Sequence, residues 1–391
     1  MRIPAAVEAL VPEMTTWRRH LHAHPELGYE EHATSAFVAE KLKEFGVDEV
    51  VTGMAKTGVV GVIRGKRPGN RAIGLRADMD ALPMTELTQA PWASTNPGRM
   101  HACGHDGHTT MLLGAARHLC QTRDFAGTVV LIFQPAEEGG GGARVMMNEG
   151  LFERFPVEVV YGLHNWPQLP FGTFAMPRSA AMAATDEIRI EIAGRGCHAA
   201  MPHNGLDPIV CAAQLVSALQ NIISRETDPM DRAVLSITSI QAGEAFNVVP
   251  DTATLKGTVR TFRSDTRARI VGRIRDMVEA FGKGFGVNAT LYHRQGYPPT
   301  INHAEEAAFG ADVAETVVGP ENVQRDPLPS MGGEDFSYML EKVPGAYIWL
   351  GVGGADEGRI LHNARYDFND EALPVGVAWW TGLVERHLSA G

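Results

Sequence analysis

Two apolar runs in this chain end directly in residues suited to chemistry. Val129–Phe133 (VVLIF) leads into Gln134-Pro135-Ala136-Glu137-Glu138, and Val157–Leu163 (VEVVYGL) leads into His164. If both runs are parallel strands, Glu137, Glu138 and His164 emerge at one sheet edge. The edge outside the carboxyl ends of the strands is where open α/β sheets place their sites. The surrounding pattern agrees with such a sheet. Thr34–Phe45 puts Phe37, Val38, Leu42 and Phe45 on one helical side, and His108–Leu119 does the same with Met111, Leu112, Ala115 and Leu119. Val59–Ile63 and Ala72–Arg76 read as strands. Alternation of this kind over residues 1–182 implies a mixed, mostly parallel sheet covered by helices.

The next segment changes character. Ile188, Ile190 and Ile192 alternate with polar residues, as on a half-exposed strand. Pro208–Ser224 reads as a helix with Ile209, Ala212, Ala213, Val216, Leu219 and Ile223 inward. Strands Val234–Ile240 and Thr252–Thr261, a helix over Thr266–Phe281 and a strand over Val287–His293 follow. The order β-α-β-β-α-β is ferredoxin-like. After Gly296-Tyr297-Pro298-Pro299 the α/β character returns, with Ala346–Val352 as a buried strand. The expected architecture is an α/β catalytic domain from residues 1–182 and 294–391, with an α+β domain inserted at 183–293. A chain of 391 residues suits two cores better than one.

The net charge of −11 argues against nucleic acid or an anionic membrane surface as partner. No stretch reaches about 18 uninterrupted apolar residues, and the first residues lack a signal-peptide pattern. Four cysteines are too few for a disulfide scaffold and fit a reducing, cytoplasmic setting in which a thiolate stays available to metal.

Cys103 and His105 sit at the entrance to a helix beginning near Asp106, where the helix dipole favours a thiolate. With Glu137, Glu138 and His164 they supply the sulfur, imidazole and carboxylate donors of a zinc-type site. Neighbouring glutamates on extended chain point in opposite directions, so one can hold metal while the other handles a proton. A further donor is expected from the late segment. His362, after a glycine-rich loop (Gly351, Gly353, Gly354, Gly358), is the best candidate.

Four segments carry a resemblance: Met100 to His108 (MHACGHDGH), Phe133 to Glu138 (FQPAEE), Gly162 to Asn165 (GLHN) and Met331 to Phe336 (MGGEDF). Together they resemble the M20 metallopeptidase family, most closely its amidohydrolase branch of hippurate hydrolases, N-acyl-amino-acid amidohydrolases and indole-acetyl-amino-acid hydrolases. The resemblance spans nearly the whole chain. It implies a zinc-exopeptidase-like catalytic domain and an inserted lid that also dimerises. It implies two divalent cations per subunit, with zinc, manganese, cobalt and nickel all open. Cys103 would bridge them, where other branches carry aspartate, and His105, Glu138, His164 and His362 would complete the set. Glu137 would be the general base that assists attack of a metal-bridging water on the amide of an N-acyl amino acid. His198 would match a transition-state donor reaching the partner subunit, and Asn247 and Arg260 positions that hold the substrate carboxylate. A homodimer or homotetramer through the lid follows from that role. Asp78 and Asp80 stand where other branches carry a His-x-Asp segment, and are expected to support donors rather than bind metal.

Some features point elsewhere. Cys197 replaces a usual glycine beside His198, and Ala364 a usual proline after His362. Gly139–Gly142 mimics a phosphate cradle, but no Gly-Lys-Ser/Thr follows and two glutamates stand beside it, so backbone room near the cations is the better account. His20, His22 and His24 are read as helix termination and hydrogen bonding. The rivals are a dipeptidase, an N-acetyl-diaminopimelate deacetylase, a non-catalytic binding protein, and a thiol hydrolase using Cys103.

Overall fold

The computed structural model describes residues 1–389, which form two compact units. The first comprises Met1–Ala181, Ile301–Leu328 and the chain from Asp335 onward; the second comprises Met182–Thr300 and Pro329–Glu334. The second unit therefore extends beyond residue 293. Gly296 and Tyr297 donate backbone hydrogen bonds to Thr185 O and Oγ1 and keep that segment with the inserted sheet.

An eight-stranded mixed sheet forms the first unit. Its four central strands, Ala126–Gln134, Arg67–Asp78, Val159–Trp166 and Gly345–Gly351, are parallel neighbours, and antiparallel strands flank them. Burial on both faces explains why VVLIF reads as a continuous apolar run instead of alternating. The strand Val159–Trp166 does not stop before His164, as the apolar run suggests. Parallel pairing with Gly345–Gly351 carries it on to Trp166, so His164 lies inside the sheet opposite Trp349. Helix His105–Thr122 packs against Val11–Ala23, His32–Phe45 and Leu373–His387. It is consequently buried almost all round, not along one stripe. Trp379 and Trp380 fill the core beside it, with Trp379 Nε1 donating to Gly310 O at 3.0 Å. Among the described residues, no helix is long and apolar enough to cross a membrane.

The second unit is a four-stranded antiparallel sheet in the order Ala233–Ala242, Thr252–Thr261, Ala184–Ala193, Asn288–Gln295, with helices Pro208–Ser224 and Ser264–Phe285 packed on it. The chain order is the ferredoxin-like one read from the sequence. The inward face of Pro208–Ser224 differs from the sequence expectation. Cys211, Ala212, Leu215, Leu219 and Ile222 are buried, whereas Ile209 and Ala213 are exposed and Val216 and Ile223 only half-buried. This helix is apolar on more than one side, so its pattern alone does not say which stripe faces the chain's own sheet.

Candidate metal centre

The carboxyl ends of the central strands and the turns that follow them gather the donors. Cys103 precedes the helix His105–Thr122, and Gly104 between the two donors has φ +92°. A Cβ there would lie 2.3 Å from Asn165 Oδ1, so only glycine permits both the left-handed turn and the close approach. Glu137 and Glu138 follow the strand Ala126–Gln134 in a turn whose Ala136 holds φ +53°. The glycine run closes that turn: a Cβ on Gly142 would sit 1.7 Å from Pro135 O. His362 comes from the long loop after Gly345–Gly351 and also adopts a left-handed φ, +60°.

Two donor groups share one atom. Cys103, His105 and His164 form one, and Cys103, Glu138 and His362 the other, each with its donor atoms within 4.8 Å of one another. Cys103 Sγ lies 3.4 Å from His164 Nε2, and His362 Nε2 lies 3.2 Å from Glu138 Oε1. His105, Glu137 and Glu138 make a further close group, which sets Glu137 beside both. All five donors expected from the sequence, and Glu137, are thus brought together in the first unit.

Neighbouring groups fix which ring nitrogens are available. His105 Nδ1 donates to Asp80 Oδ1 at 3.2 Å, and His164 Nδ1 donates to Asn165 O at 2.7 Å. In the neutral ring each Nε2 then carries the lone pair, the nitrogen that a cation would take in exchange for any proton on it. Asp80 Oδ2 also accepts the Glu138 backbone N–H at 2.9 Å, so one carboxylate orients a donor in each group. Asp78 is held by Arg76 Nη1 at 2.8 Å and His108 Nδ1 at 2.6 Å. His108 in turn uses Nε2 on Asn165, which leaves it no lone pair for metal.

The donor set fits a pair of divalent cations. His105 Nε2 is buried with no hydrogen-bond partner among the described residues. Burial opposes its charge, yet Asp78, Asp80 and Glu138 outweigh burial and push its pKa up to about 10. Burial first, then Glu138 and Glu137, pushes the Cys103 thiol well above its usual range. The helix N-terminus is therefore not enough to make this sulfur a thiolate; nearby positive charge must be supplied. The His105 shift reports negative charge that outweighs burial, and the same carboxylates add to burial at Cys103; cations would neutralise that charge.

A sequence profile of peptidase family M20/M25/M40 matches residues 74–386. The chain belongs to that family. Its relatives place it in the amidohydrolase branch. It is 42% identical over 375 residues to a hippurate hydrolase of Campylobacter jejuni, covering 95% of each chain. It is 43% identical to an N-acetyl-L-cysteine deacetylase of Bacillus subtilis over 95% of this chain and 87% of that one. Among solved structures, a Bacillus subtilis protein described as a dinuclear metal-binding peptidase of the M20 family superposes with a TM-score of 0.83 at 36% identity, covering 97% of this chain and 99% of that one.

The remaining expected residues lie in the second unit. His198 is exposed on a two-residue strand opposite Val248, and Ala199 N donates to Asn247 O at 3.0 Å, so His198 and Asn247 share one corner. Ala200 N donates to His198 Nδ1 at 3.0 Å, which leaves Nε2–H as a donor. Arg260 is half-buried near the far end of strand Thr252–Thr261. That places it roughly 25 Å from the corner at strand rise. One copy of this unit does not bring the three together. Cys197 faces Gly205 and not His198. Of the early histidines, the His20 and His24 rings lie 4.6 Å apart, tilted by 39°, and His24 Nδ1 donates to His20 O at 2.7 Å.

Sequence reasoning missed the supports under the Glu137 turn. Asp335 accepts from Arg76 Nη2 (3.1 Å), Gln134 Nε2 (2.7 Å) and Ala143 N (2.9 Å), and Asp335 N contacts Glu137 Oε1 at 3.4 Å. The MGGEDF segment was its one signal. Glu31 accepts from Ala136 N at 2.8 Å and Thr57 Oγ1 at 2.6 Å and had no signal of its own. Burial pushes Glu31 up to about 7 from 4.5, although its hydrogen bonds pull the other way. A carboxyl raised in the folded state favours folding at low pH, and that contribution is lost as pH rises from about 4.5 through about 7. Glu31→Gln is expected to flatten this slope, by up to roughly 3 kcal/mol between the two limits. Thermal melts of both proteins from pH 4.5 to pH 8 check it; parallel curves would refute the assignment.

Proposed function

We propose that this chain is a dinuclear-metal amidohydrolase that cleaves N-acyl amino acids, hippurate-like ones above all, to a carboxylic acid and an amino acid. The observation that carries the reading is the sulfur of Cys103 shared by two donor groups, with Glu137 beside them. In this reading Cys103, His105 and His164 would hold one cation and Cys103, Glu138 and His362 the other. Two such ions, when bound, polarise the amide carbonyl and lower the pKa of water. Glu137, buried and adjacent to Asp335 N–H, accepts a proton from the attacking water and returns it to the leaving amine. His198, through Nε2–H, donates to the developing oxyanion, and Asn247 and Arg260 bind the substrate carboxylate, for which the guanidinium fork is suited.

Hippurate and N-acetyl-cysteine are the substrates that the relatives' names carry, and both are N-acyl amino acids. Protein stripped by chelator is expected to lose hippurate hydrolysis and to regain it with Zn²⁺, Mn²⁺, Co²⁺ or Ni²⁺. A panel of N-acyl amino acids, dipeptides and N-acetyl-diaminopimelate then sets the substrate class. Preference for free dipeptides, or activity that survives chelation, would overturn the reading.

The roughly 25 Å between Arg260 and the His198 corner supports a homodimer in which His198 and Asn247 serve a partner's site. Exposed Ile209, Val210, Ile240, Phe246 and Val248 on the second unit supply an apolar face for it, including an edge strand. Mixing two inactive variants, Glu137→Gln and His198→Ala, is expected to restore part of the activity through hybrid dimers. No recovery after subunit exchange would show that His198 acts in its own subunit or not at all.

A further inference from the structure

His362 is the weakest-held of the donors by location. It lies on a loop with its side chain 54% exposed, and its backbone is in the left-handed region that a β-carbon disfavours. Such a conformation persists only where surrounding structure over-determines it. Several ties surround this loop. His362 N donates to Ala102 O at 2.8 Å, next to Cys103. Leu87 N donates to Ala364 O at 2.7 Å, and Arg365 Nη1 donates to Leu87 O at 3.2 Å. Beyond them stands Asp367, which accepts from Trp92 Nε1 at 3.2 Å and from Arg18 Nη2.

Arg18 belongs to the helix Val11–Ala23 and lies before residue 74, where the match to the family profile begins. Its guanidinium is fully buried and meets three carboxylates. Nε donates to Asp106 Oδ2 at 2.9 Å, Nη2 to Asp367, and Nη1 lies 3.3 Å from Asp370 Oδ1. Asp106 follows His105 directly, and His22 Nδ1 holds the same Asp106 oxygen at 2.8 Å. One planar, fixed fork thus ties the segment bearing Cys103 and His105 to the segment bearing His362. Neither end of that fork touches the donors themselves.

We propose that Arg18 and Asp367 are positioning residues that lock the His362 loop in its strained, donor-bearing conformation, so that the Cys103–Glu138–His362 cation depends on the N-terminal helix. This rests on the two-cation reading above. The Asp367 arm reaches only the His362 side, so its removal weakens one cation and spares the one held by Cys103, His105 and His164. The Arg18 arm reaches both segments. An Arg18 variant also leaves Asp106 buried without its counter-charge, which endangers folding. Asp367 is therefore the better probe: its side chain is 24% exposed, and Arg18 keeps two other carboxylates without it.

The test is Co²⁺ titration of chelator-stripped full-length protein, following the sulfur-to-cobalt absorption band and bound cobalt per chain. Wild-type protein is expected to take two equivalents. In Asp367→Ala the second equivalent is expected to bind at least about tenfold more weakly, with the first within about twofold of wild type. Asp367→Asn, which keeps an acceptor for Arg18 and Trp92, is expected to recover most of the loss. Two equivalents bound by Asp367→Ala as tightly as by wild type, or both weakened equally, would overturn the proposal while leaving the two-cation reading in place. Wild-type protein that takes only one equivalent would overturn both.

Discussion

Glu137→Gln is expected to lower kcat on hippurate by about 10²–10⁴-fold, the range that a positioned general base supplies, while both cations stay bound. Glutamine keeps the shape of the side chain and an oxygen to accept from Asp335 N–H, but cannot take up a proton from water. Glu137 belongs to a close group with His105 and Glu138 yet to neither group centred on Cys103, so metal content should not follow activity down. Steady-state kinetics together with elemental analysis of the purified variant separates the two quantities. Loss of metal in parallel with activity would assign Glu137 to the donors; near-normal kcat would remove it from the chemistry.

The second large effect concerns Cys103. Cys103→Ser is expected to lose at least one cation and to lower kcat/KM by roughly 10³ or more, since removing a cation forfeits several kcal/mol of charge stabilisation in the transition state. Cys103→Asp should recover metal and a measurable part of the rate, because a carboxylate oxygen pair can serve two cations in place of one sulfur. The same pair of variants decides against or for the thiol hydrolase. Cys103 Sγ lies 3.4 Å from His164 Nε2, which on distance alone is compatible with a nucleophile and its base. Burial and the adjacent Glu138 and Glu137 oppose a bare thiolate there. A nucleophilic cysteine predicts a dead Cys103→Asp enzyme and activity indifferent to chelator. Because the thiol must give up its proton on binding metal, cation affinity in the stripped protein should also rise with pH. Isothermal titration in two buffers of different ionisation enthalpy would count the protons released.

Much of the site was legible because strand-end chemistry is a local signal. VVLIF followed by QPAEE, and an apolar strand carrying His164, announce both the parallel sheet and the edge at which its donors gather. The alternation of Ile188, Ile190 and Ile192 and the β-α-β-β-α-β order were equally local, and the four-stranded sheet has that order. The helix Pro208–Ser224 went wrong for a physical reason. Apolar periodicity marks a side that avoids water, and this helix has more than one such side, so only packing shows which of them meets its own sheet. The strand end at His164 was misplaced because pairing with Gly345–Gly351, nearly two hundred residues later, prolongs it.

What the sequence by itself determined is the kind of donors, their order, and the alternation that turns strands and helices into a mixed sheet. Each is written in residues a few positions apart, where periodicity and turn chemistry operate. The shared sulfur of Cys103 was implied by the resemblance and by no local pattern; only the tertiary structure decided that Asp80 steers a donor in each group and that Arg18 joins Asp106 to Asp367. Those meetings link residues that no local pattern couples. They exist because the buried parallel strands bring distant turns to one edge, where each buried charge must find its partner.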